Sequence, residues 1–352
     1  MEPTGTTAPT SSTPSTPSEE SHAHVALVYD VIVGHLASAA IRTAASLRVA
    51  DHLADGPLAI EELARRTDTD ALSLRRVLRF LAARGIFHES EPGSYALTPP
   101  AELLRSDVPG SLRDGALLLA HELFRKPSAD LEETVRTGRP AFDRVFGMPF
   151  FTYLQEHPDL SDLFDAGMES FAGAMDDAVA DVYEFPASGT IVDVGGGRGG
   201  LLRTILLRNP GLSGVLFDQQ STVDQHILDH PELAGRWRVE GGDFFSAVPA
   251  GGDIYVIKHT LHNWDDEHCL RILRACRAAM EPGKRLLVVD AIIPPGDDPA
   301  PGKNVDVTML TVLTGRERTA EEFEGLFRDS GFEFVRSLPT ATWTSVTEAI
   351  AK

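Results

Sequence analysis

Short apolar segments alternate with amphipathic segments through the second half of the chain. The apolar segments predict buried strands, and the segments with apolar residues three or four positions apart predict helices. The predicted strands are 191–194, 214–217, 237–243, 254–257, 285–293, 332–335 and 342–346, and the predicted helices are 201–207, 223–228 and 266–280. Strands that alternate with helices indicate an α/β fold with a mostly parallel sheet, which binds ligands at the carboxyl ends of its strands.

The first half of the chain shows helical patterns and one hairpin. Residues 1–20 are dominated by Ser, Thr and Pro, which predicts a disordered tail. Residues 25–53 are rich in alanine and poor in charge, so we expect a helix that contacts another subunit or domain. Helices at 60–66 and 72–84, followed by a hairpin at 86–97, outline a winged helix. Residues 107–185 predict several helices with aromatic and methionine-bearing faces.

A glycine cluster in the middle of the chain is the clearest sign of a bound ligand. Gly195-x-Gly197-x-x-Gly200 matches the dinucleotide-binding fingerprint, and Asp218 ends the next strand, where a ribose-binding carboxylate is expected. The cluster is also preceded by Asp193, two residues before the first glycine. Glycines there let a ligand approach backbone N–H groups at a helix N-terminus. These residues predict a nucleotide-like cofactor and leave a nicotinamide dinucleotide and S-adenosylmethionine (SAM) open.

The composition and charge of the chain limit the classes of function that it could have. The 352 residues include 32 Lys and Arg against 52 Asp and Glu, a formal net charge of −20, which disfavours nucleic acid and anionic membranes as partners. The winged-helix outline suggests a DNA-binding regulator as an alternative, but residues 51–105 carry a net charge of −2. Because no secretory signal is visible and the chain has only two cysteines, we expect a cytoplasmic protein.

Motifs spread over the chain resemble those of the plant-type SAM-dependent small-molecule O-methyltransferases, the family of caffeic acid O-methyltransferase and its bacterial antibiotic-tailoring relatives. In order, they are DVGGGRGG, LFD, GGDFF, KHTLHNWDDEHC, LLVVDAIIP and GRERT. The resemblance implies a Rossmann-like SAM-methyltransferase domain with a mostly parallel seven-stranded sheet, an N-terminal winged-helix dimerisation domain and a homodimer. We therefore expect a tail over 1–20, the dimerisation domain over 21–105, a helical connector lining the acceptor pocket over 106–185 and the SAM-binding catalytic domain over 186–352.

The resemblance also implies roles for individual residues. The cofactor-binding positions correspond to Asp193, Gly195, Gly197, Asp218, Asp243, Phe244 and Lys258. His262 matches the general base, and Asp290 and Glu317 match the acids that orient it. The methionines that clamp the acceptor ring match Met168 and Met309. Phe164 belongs to the aromatic faces of the connector, which suit either a core or a pocket for a flat apolar ligand.

The chemistry of methyl transfer accounts for this residue set. A sulfonium methyl is already activated, so the enzyme has to align the reactants and remove one proton. A phenol of pKa about 10 facing an imidazole of pKa about 6.5 leaves a gap of roughly 4.8 kcal/mol, which neighbouring carboxylates reduce. No histidine shows a metal-ligand spacing, so no metal is expected. His259 is expected to point in a different direction from His262, and His268 to lie in the next helix.

The sequence therefore predicts a SAM-dependent O-methyltransferase acting on a phenolic hydroxyl of a natural product of the aromatic polyketide type. A competing hypothesis keeps SAM but has the enzyme methylate carbon or nitrogen, or use SAM without methyl transfer. Two hypotheses from different classes are a nicotinamide-dependent oxidoreductase and a DNA-binding regulator.

Overall fold

The computed structural model describes residues 19–352, so nearly all of the segment predicted as a disordered tail lies outside the described residues. The first described element is a helix that begins at Glu19.

The N-terminal part is helical and contains one small antiparallel sheet with strand order β1-β3-β2. Its elements are α1 (Glu19–Ile32), α2 (Gly34–Ser46), α3 (Val49–His52), β1 (Leu58–Ala59), α4 (Ile60–Thr67), α5 (Ala71–Ala82), β2 (Phe87–Glu91), β3 (Ser94–Leu97) and α6 (Pro99–Glu102). Asp70 caps α5, since its carboxylate accepts a hydrogen bond of 2.8 Å from the backbone N–H of Ser73. The helices and the hairpin of the predicted winged helix are present and share one apolar core.

Six helices follow the winged helix. They are α7 (Arg113–Leu119), α8 (Glu122–Ala129), α9 (Leu131–Thr137), α10 (Ala141–Phe146), α11 (Phe150–Glu156) and α12 (Pro158–Val182). Two glycines bring α7 and α12 together: a Cβ at Gly115 would lie 2.4 Å from the Phe171 ring, and one at Gly167 would lie 2.5 Å from Leu118. The long helix α12 is therefore seated closely against the N-terminal half of the chain.

The C-terminal half forms a seven-stranded sheet with the order β6-β5-β4-β7-β8-β10-β9. Its elements are β4 (Gly189–Val194), α13 (Gly200–Arg208), β5 (Leu212–Asp218), α14 (Gln220–Val223), β6 (Trp237–Gly241), β7 (Ile254–Lys258), α15 (Asp266–Ala279), β8 (Arg285–Asp290), α16 (Pro301–Val312), α17 (Ala320–Asp329), β9 (Phe332–Pro339) and β10 (Ser345–Ala351). Strands β4 to β8 are parallel, and β10 is antiparallel to β8 and β9. The predicted fold class is confirmed.

Helices cover both faces of this sheet. Val192 of β4 joins the core formed with α15 and α17, whereas its neighbour Ile191 joins the core formed with α12 and α13. A sheet that is buried on both faces needs continuous apolar strands, which explains the unbroken apolar segments in the sequence. The carboxyl ends of β5, β7 and β8 meet at one edge, and this edge carries Asp218, Lys258 and Asp290.

The prediction of a helix over 223–228 is wrong. Helix α14 ends at Val223, and the segment that follows contacts the glycine cluster instead. The backbone N–H of Ile227 donates a hydrogen bond of 2.9 Å to the carbonyl of Arg198, which leaves that N–H unable to continue a helix.

Helix α1 exposes a row of apolar side chains. Val25, Leu27, Val28, Tyr29, Val31 and Ile32 are each between 58% and 74% exposed. Within residues 19–352, no single helix is long and apolar enough to cross a membrane. Helices α1 and α2, with a bend of 52° between them, have the required length and composition only when taken together. Such an exposed apolar face is typical of a surface that another subunit covers.

Candidate active site

The glycine cluster forms a turn whose backbone conformation favours glycine. Gly195 and Gly197 have φ angles of 70° and 58°, which L side chains rarely adopt. A Cβ at Gly195 would lie 2.8 Å from Oγ1 of Thr260 and 3.5 Å from the Phe244 ring. Glycines at these positions let a ligand approach the backbone between β4 and α13.

Asp193, the next-to-last residue of β4, is a buried carboxylate. It is only 1% exposed, and neither carboxylate oxygen has a hydrogen-bond partner. Burial raises the pKa of Asp193 to about 7, although the positive charge of Lys258 opposes this shift. An unpaired buried carboxylate beside a glycine turn fits a cationic group of a ligand, such as the amino group of SAM.

Asp218 and Asp243 organise the two neighbouring loops. The Asp218 carboxylate accepts hydrogen bonds of 2.9 Å from the backbone N–H of Gly197 and 2.7 Å from that of Gln219. Burial raises the pKa of Asp218 despite these bonds. Asp243 is exposed and accepts from the backbone N–H of Phe245 at 2.9 Å. The structure therefore brings the glycine turn, Asp218 and the Phe244 ring to one edge of the sheet.

His262 lies in a short 3-10 turn (Leu261–Asn263) directly after β7. Its Nδ1 is 2.7 Å from Oε1 of Glu317, and the Glu317 side chain is fully buried. A carboxylate only accepts, so Nδ1–H donates and Nε2 of His262 is left as the proton acceptor. Burial alone lowers the pKa of His262, but the hydrogen bond to Glu317 and the charges of Asp290 and Glu317 outweigh it, and the pKa is raised.

The segment containing Glu317 is held directly against the His262 turn. A Cβ at Gly315 would lie 2.0 Å from the carbonyl oxygen of His262, so only glycine permits this approach. Arg318 is 1% exposed and donates to the carbonyls of Leu261 at 3.2 Å and Trp264 at 2.8 Å. Sequence reasoning missed Arg318 because a lone arginine after the acid carries no sign that it would be buried.

Asp290 lies at the end of β8 and is 1% exposed. Both of its carboxylate oxygens lack a hydrogen-bond partner. Burial raises the pKa of Asp290, and the proximity of His262 opposes the shift. Asp290 therefore acts on His262 through charge, whereas Glu317 holds it by a hydrogen bond.

His259 lies next to His262, and the planes of the two rings are inclined at 44°. The two ring centroids are 5.2 Å apart, and Nδ1 of His259 is 3.9 Å from Oδ1 of Asp290. The cause is the backbone: His259 has a φ of 49°, which turns the chain sharply after β7. Burial and the neighbouring His262 hold the pKa of His259 well below its usual range. Trp343, which sequence reasoning missed, lies against it with ring centroids 5.1 Å apart.

Three potential metal ligands lie close together beside His262, although their spacing in the sequence did not indicate a metal site. Within the described part of the chain, His259, His262 and Asp290 have ligand atoms within 4.8 Å of one another. The absence of a metal therefore stays a prediction.

Aromatic side chains connect Trp264, two residues after His262, to the helices that precede the sheet. Trp264 stacks on Phe151 with centroids 6.0 Å apart, and Phe151 contacts Phe164 at 6.4 Å. Met168 is 38% exposed, one turn after Phe164 on α12, and Met309 is buried on α16. Helix α16 contacts the segment that contains Glu317, because Asp306 accepts a hydrogen bond of 2.9 Å from the backbone N–H of Glu317.

Comparisons with known proteins assign the class. Residues 128–333 match the O-methyltransferase domain, and residues 29–107 match the O-methyltransferase dimerisation domain. The chain therefore belongs to the O-methyltransferase family and carries its dimerisation domain. It is a SAM-dependent O-methyltransferase of the bacterial natural-product branch.

Similar proteins match over nearly the whole chain. Phenazine O-methyltransferase PhzM of Lysobacter antibioticus is 41% identical over 325 residues, which cover 92% of this chain and 95% of that protein. The 3-amino-4-hydroxybenzoate 4-O-methyltransferase of Streptomyces cremeus is 39% identical over 324 residues, which cover 89% of this chain and 87% of that protein. The SAH-bound structure of CalO1, a methyltransferase in calicheamicin biosynthesis, superposes with a TM-score of 0.87 and 42% identity, covering 96% of this chain and 100% of CalO1.

Proposed function

We propose that this enzyme methylates a phenolic hydroxyl of an aromatic natural product, of the aromatic polyketide type, with His262 as general base. The observation that carries the proposal is the 2.7 Å contact between Nδ1 of His262 and Glu317, which leaves Nε2 as a proton acceptor. The names of two relatives support an aromatic hydroxyl as the acceptor, since one acts on a phenazine and the other on a hydroxybenzoate.

The base works because its protonated form is stabilised. When Nε2 takes the phenolic proton, the imidazolium carries a positive charge between Glu317 and Asp290. Glu317 accepts the Nδ1–H bond, and Asp290 contributes a nearby negative charge when ionised. Both effects reduce the gap of roughly 4.8 kcal/mol between a phenol and a free imidazole. Arg318 fixes the backbone on both sides of the base, so the ring stays aligned with the acceptor.

The residues proposed to bind the cofactor lie at or just after the carboxyl ends of the parallel strands, the edge of the sheet where the His262 turn follows β7. We assign Asp193, Gly195 and Gly197 to the amino-acid end of SAM, Asp218 to the ribose hydroxyls, and Asp243 with Phe244 to adenine. Lys258 completes the set at the end of β7. SAM would supply an activated methyl group here, and these residues would hold and orient it for transfer to the acceptor.

The acceptor is assigned to the aromatic side of the site. Phe164 contacts Phe151, which stacks on Trp264 two residues after the proposed base, and these aromatic rings suit a flat acceptor ring. Met309 lies one turn after Asp306, the residue bound to the Glu317 segment. Met168 is half-exposed and offers a flexible apolar contact at the mouth of this region.

The same proposal covers the assembly. We assign dimerisation to residues 21–105, acceptor binding to the connector over 106–185 and catalysis to 186–352, with the exposed face of α1 covered by a second copy in a homodimer. The dimerisation-domain match and the apolar exposure of α1 support this assignment. We expect the enzyme to act in the cytoplasm on a small molecule, with neither nucleic acid nor a membrane as partner.

The deciding experiment supplies methyl-labelled SAM and a panel of phenols and aromatic polyketide acids. Wild type should place the label on oxygen, and His262→Ala should lose most of this activity while still binding SAM. His268→Ala is the matched control, since His268 lies on α15 and is partly exposed. Label on carbon or nitrogen, or full activity in His262→Ala, would overturn the proposal.

A further inference from the structure

Three side chains around the proposed base offer lone pairs that no hydrogen bond occupies. Asp290 is 1% exposed, and neither of its carboxylate oxygens has a hydrogen-bond partner. Nε2 of His259 is also buried without a partner. Nε2 of His262 keeps its lone pair because Nδ1–H of the same ring is bound to Glu317. Unpaired polar atoms in a protein interior are costly, so a ligand that binds all three side chains is worth seeking.

The three side chains carry ligands that divalent transition metals bind. Ligand atoms of His259, His262 and Asp290 lie within 4.8 Å of one another. Zinc bonds of about 2.1 Å place tetrahedral ligand atoms about 3.4 Å apart, so rotations of these side chains have to bring the atoms closer by up to about 1.4 Å. Two histidines and one carboxylate, with a fourth position left open, are a recurrent zinc-binding set. The His259 side chain is 21% exposed, which gives an ion a path from solvent.

Glu317 supplies the support that a metal-binding histidine needs. A ligating imidazole usually donates its other N–H to a carboxylate, which fixes the tautomer and the orientation of the ring. Nδ1 of His262 has this bond with Glu317 at 2.7 Å. The lone pair of Nε2 is therefore available to a metal, and it is the same lone pair that accepts a proton in the proposed reaction.

The cations nearest to this group are already paired with other acids. Lys258 donates a hydrogen bond to Asp176, and Arg318 donates one of 2.8 Å to Asp266. Neither cation has an ion pair with the two acids beside the base. When ionised, these two acids favour a divalent cation between them and the histidines.

We propose that His259, His262 and Asp290 form a binding site for a divalent transition metal of the zinc class, and that the bound metal inhibits the enzyme. Nε2 of His262 has one lone pair, which binds either the metal or the proton of the acceptor, so an occupied site has no general base. The metal is an inhibitor here and not a cofactor, since methyl transfer from a sulfonium needs alignment and the removal of one proton. The inhibition rests on the proposed function, because it requires His262 to be the base, whereas the metal site does not.

The first measurement is metal binding to the full-length enzyme, free of any histidine tag and without SAM or acceptor. Calorimetry gives the dissociation constant of Zn²⁺, and the visible absorption of bound Co²⁺ reports its coordination. Wild type should bind one ion per chain at this site, and His259→Asn should weaken binding by about 100-fold because it removes one of three ligands. Asn is chosen because it tolerates the φ of 49° at His259.

His268→Ala is the matched control for zinc held loosely at the surface. His268 is a partly exposed histidine on α15 whose Nδ1 lies 2.7 Å from Oδ1 of Asp265. Its removal should leave the dissociation constant of the proposed site at the wild-type value. Both cysteines of the chain are fully buried, so no exposed thiol competes for the metal.

The second measurement is methyl transfer at increasing zinc concentration, with each variant compared with its own zinc-free rate. Wild type and His268→Ala should lose activity as the site fills and regain it when EDTA removes the zinc. Half-inhibition of His259→Asn should require about 100-fold more zinc, in parallel with its weaker binding.

The outcomes separate the metal site from the proposed function. A wild type that binds neither Zn²⁺ nor Co²⁺ overturns the inference, as does a dissociation constant that His259→Asn leaves unchanged. If His259→Asn does not fold, Asp290→Asn removes another ligand and is judged by the zinc dissociation constant alone. Zinc that binds through His259 without slowing methyl transfer overturns the inhibition and contradicts His262 as the base. Because binding is measured without SAM or acceptor, failure of the proposed reaction leaves the result for the metal site readable.

Discussion

Glu317 and His262 are separated by 55 residues and meet through a hydrogen bond of 2.7 Å between Oε1 and Nδ1. The glutamate side chain is fully buried and the histidine side chain is 10% exposed. Their contact determines which nitrogen of the imidazole carries the proton, and therefore which nitrogen faces an acceptor. The catalytic assignment depends on this pair more than on any other contact in the site.

Replacing Glu317 by Gln should weaken catalysis and move its pH dependence. The amide can still accept from Nδ1–H but does not stabilise the imidazolium, so we expect kcat/KM to fall by about 100-fold. Glu317 contributes to the raised pKa of His262. In Glu317→Gln that pKa is lower, so the acidic limb of the kcat/KM profile should move to lower pH. Glu321→Gln, at an exposed position in the first turn of α17, is the control. A pH profile of kcat/KM that does not move in Glu317→Gln would contradict the proposal that Glu317 raises the pKa of His262.

Gly315→Ala should slow catalysis without weakening the binding of SAM. The added Cβ would lie 2.0 Å from the His262 carbonyl, so the GRERT segment has to move away from the base. We expect a loss of about 100-fold in kcat, with a dissociation constant for SAM close to that of wild type. Gly325→Ala adds the same methyl group on α17, where the nearest atom is 3.7 Å away, and should be neutral or mildly stabilising. Equal effects of the two variants would contradict this account.

Asp193 should make the cofactor-free protein less stable as the pH rises. Its folded pKa of about 7 lies above its unfolded value of about 3.9, so its stabilising contribution is complete below about pH 4 and is lost as the pH rises through 7. Between pH 5 and pH 8 this one group should lower the free energy of unfolding by about 2–3 kcal/mol.

Urea denaturation at the two pH values measures this effect. Asp193→Asn should show a correspondingly smaller loss of stability between pH 5 and pH 8, and it should bind SAM more weakly. Asp177→Asn, which changes an exposed acid, should keep the wild-type slope. The expectation fails if Asp193→Asn retains the full pH dependence.

Residues close together in the sequence were predictable because local rules govern them. The glycine turn, Asp218 at the end of β5 and Lys258 at the end of β7 follow from an apolar strand that stops where a polar residue begins. Parallel strands place their carboxyl ends at one edge, so the sequence order alone predicts that these residues meet. The helix after Asp218 was placed wrongly because its backbone bonds to the glycine turn, a contact that no local pattern encodes.

The sequence by itself determined the class of fold through the periodicity of its apolar residues, and its resemblance to the O-methyltransferases indicated SAM as the cofactor and predicted His262 as the base. Only the tertiary structure decided that Glu317 rather than Asp290 binds His262, that His259 lies beside the base, and that Asp176 reaches Lys258 from 82 residues away. These contacts depend on how α12, the His262 turn and the GRERT segment are oriented against the sheet. Packing sets that orientation over distances that a sequence pattern does not span.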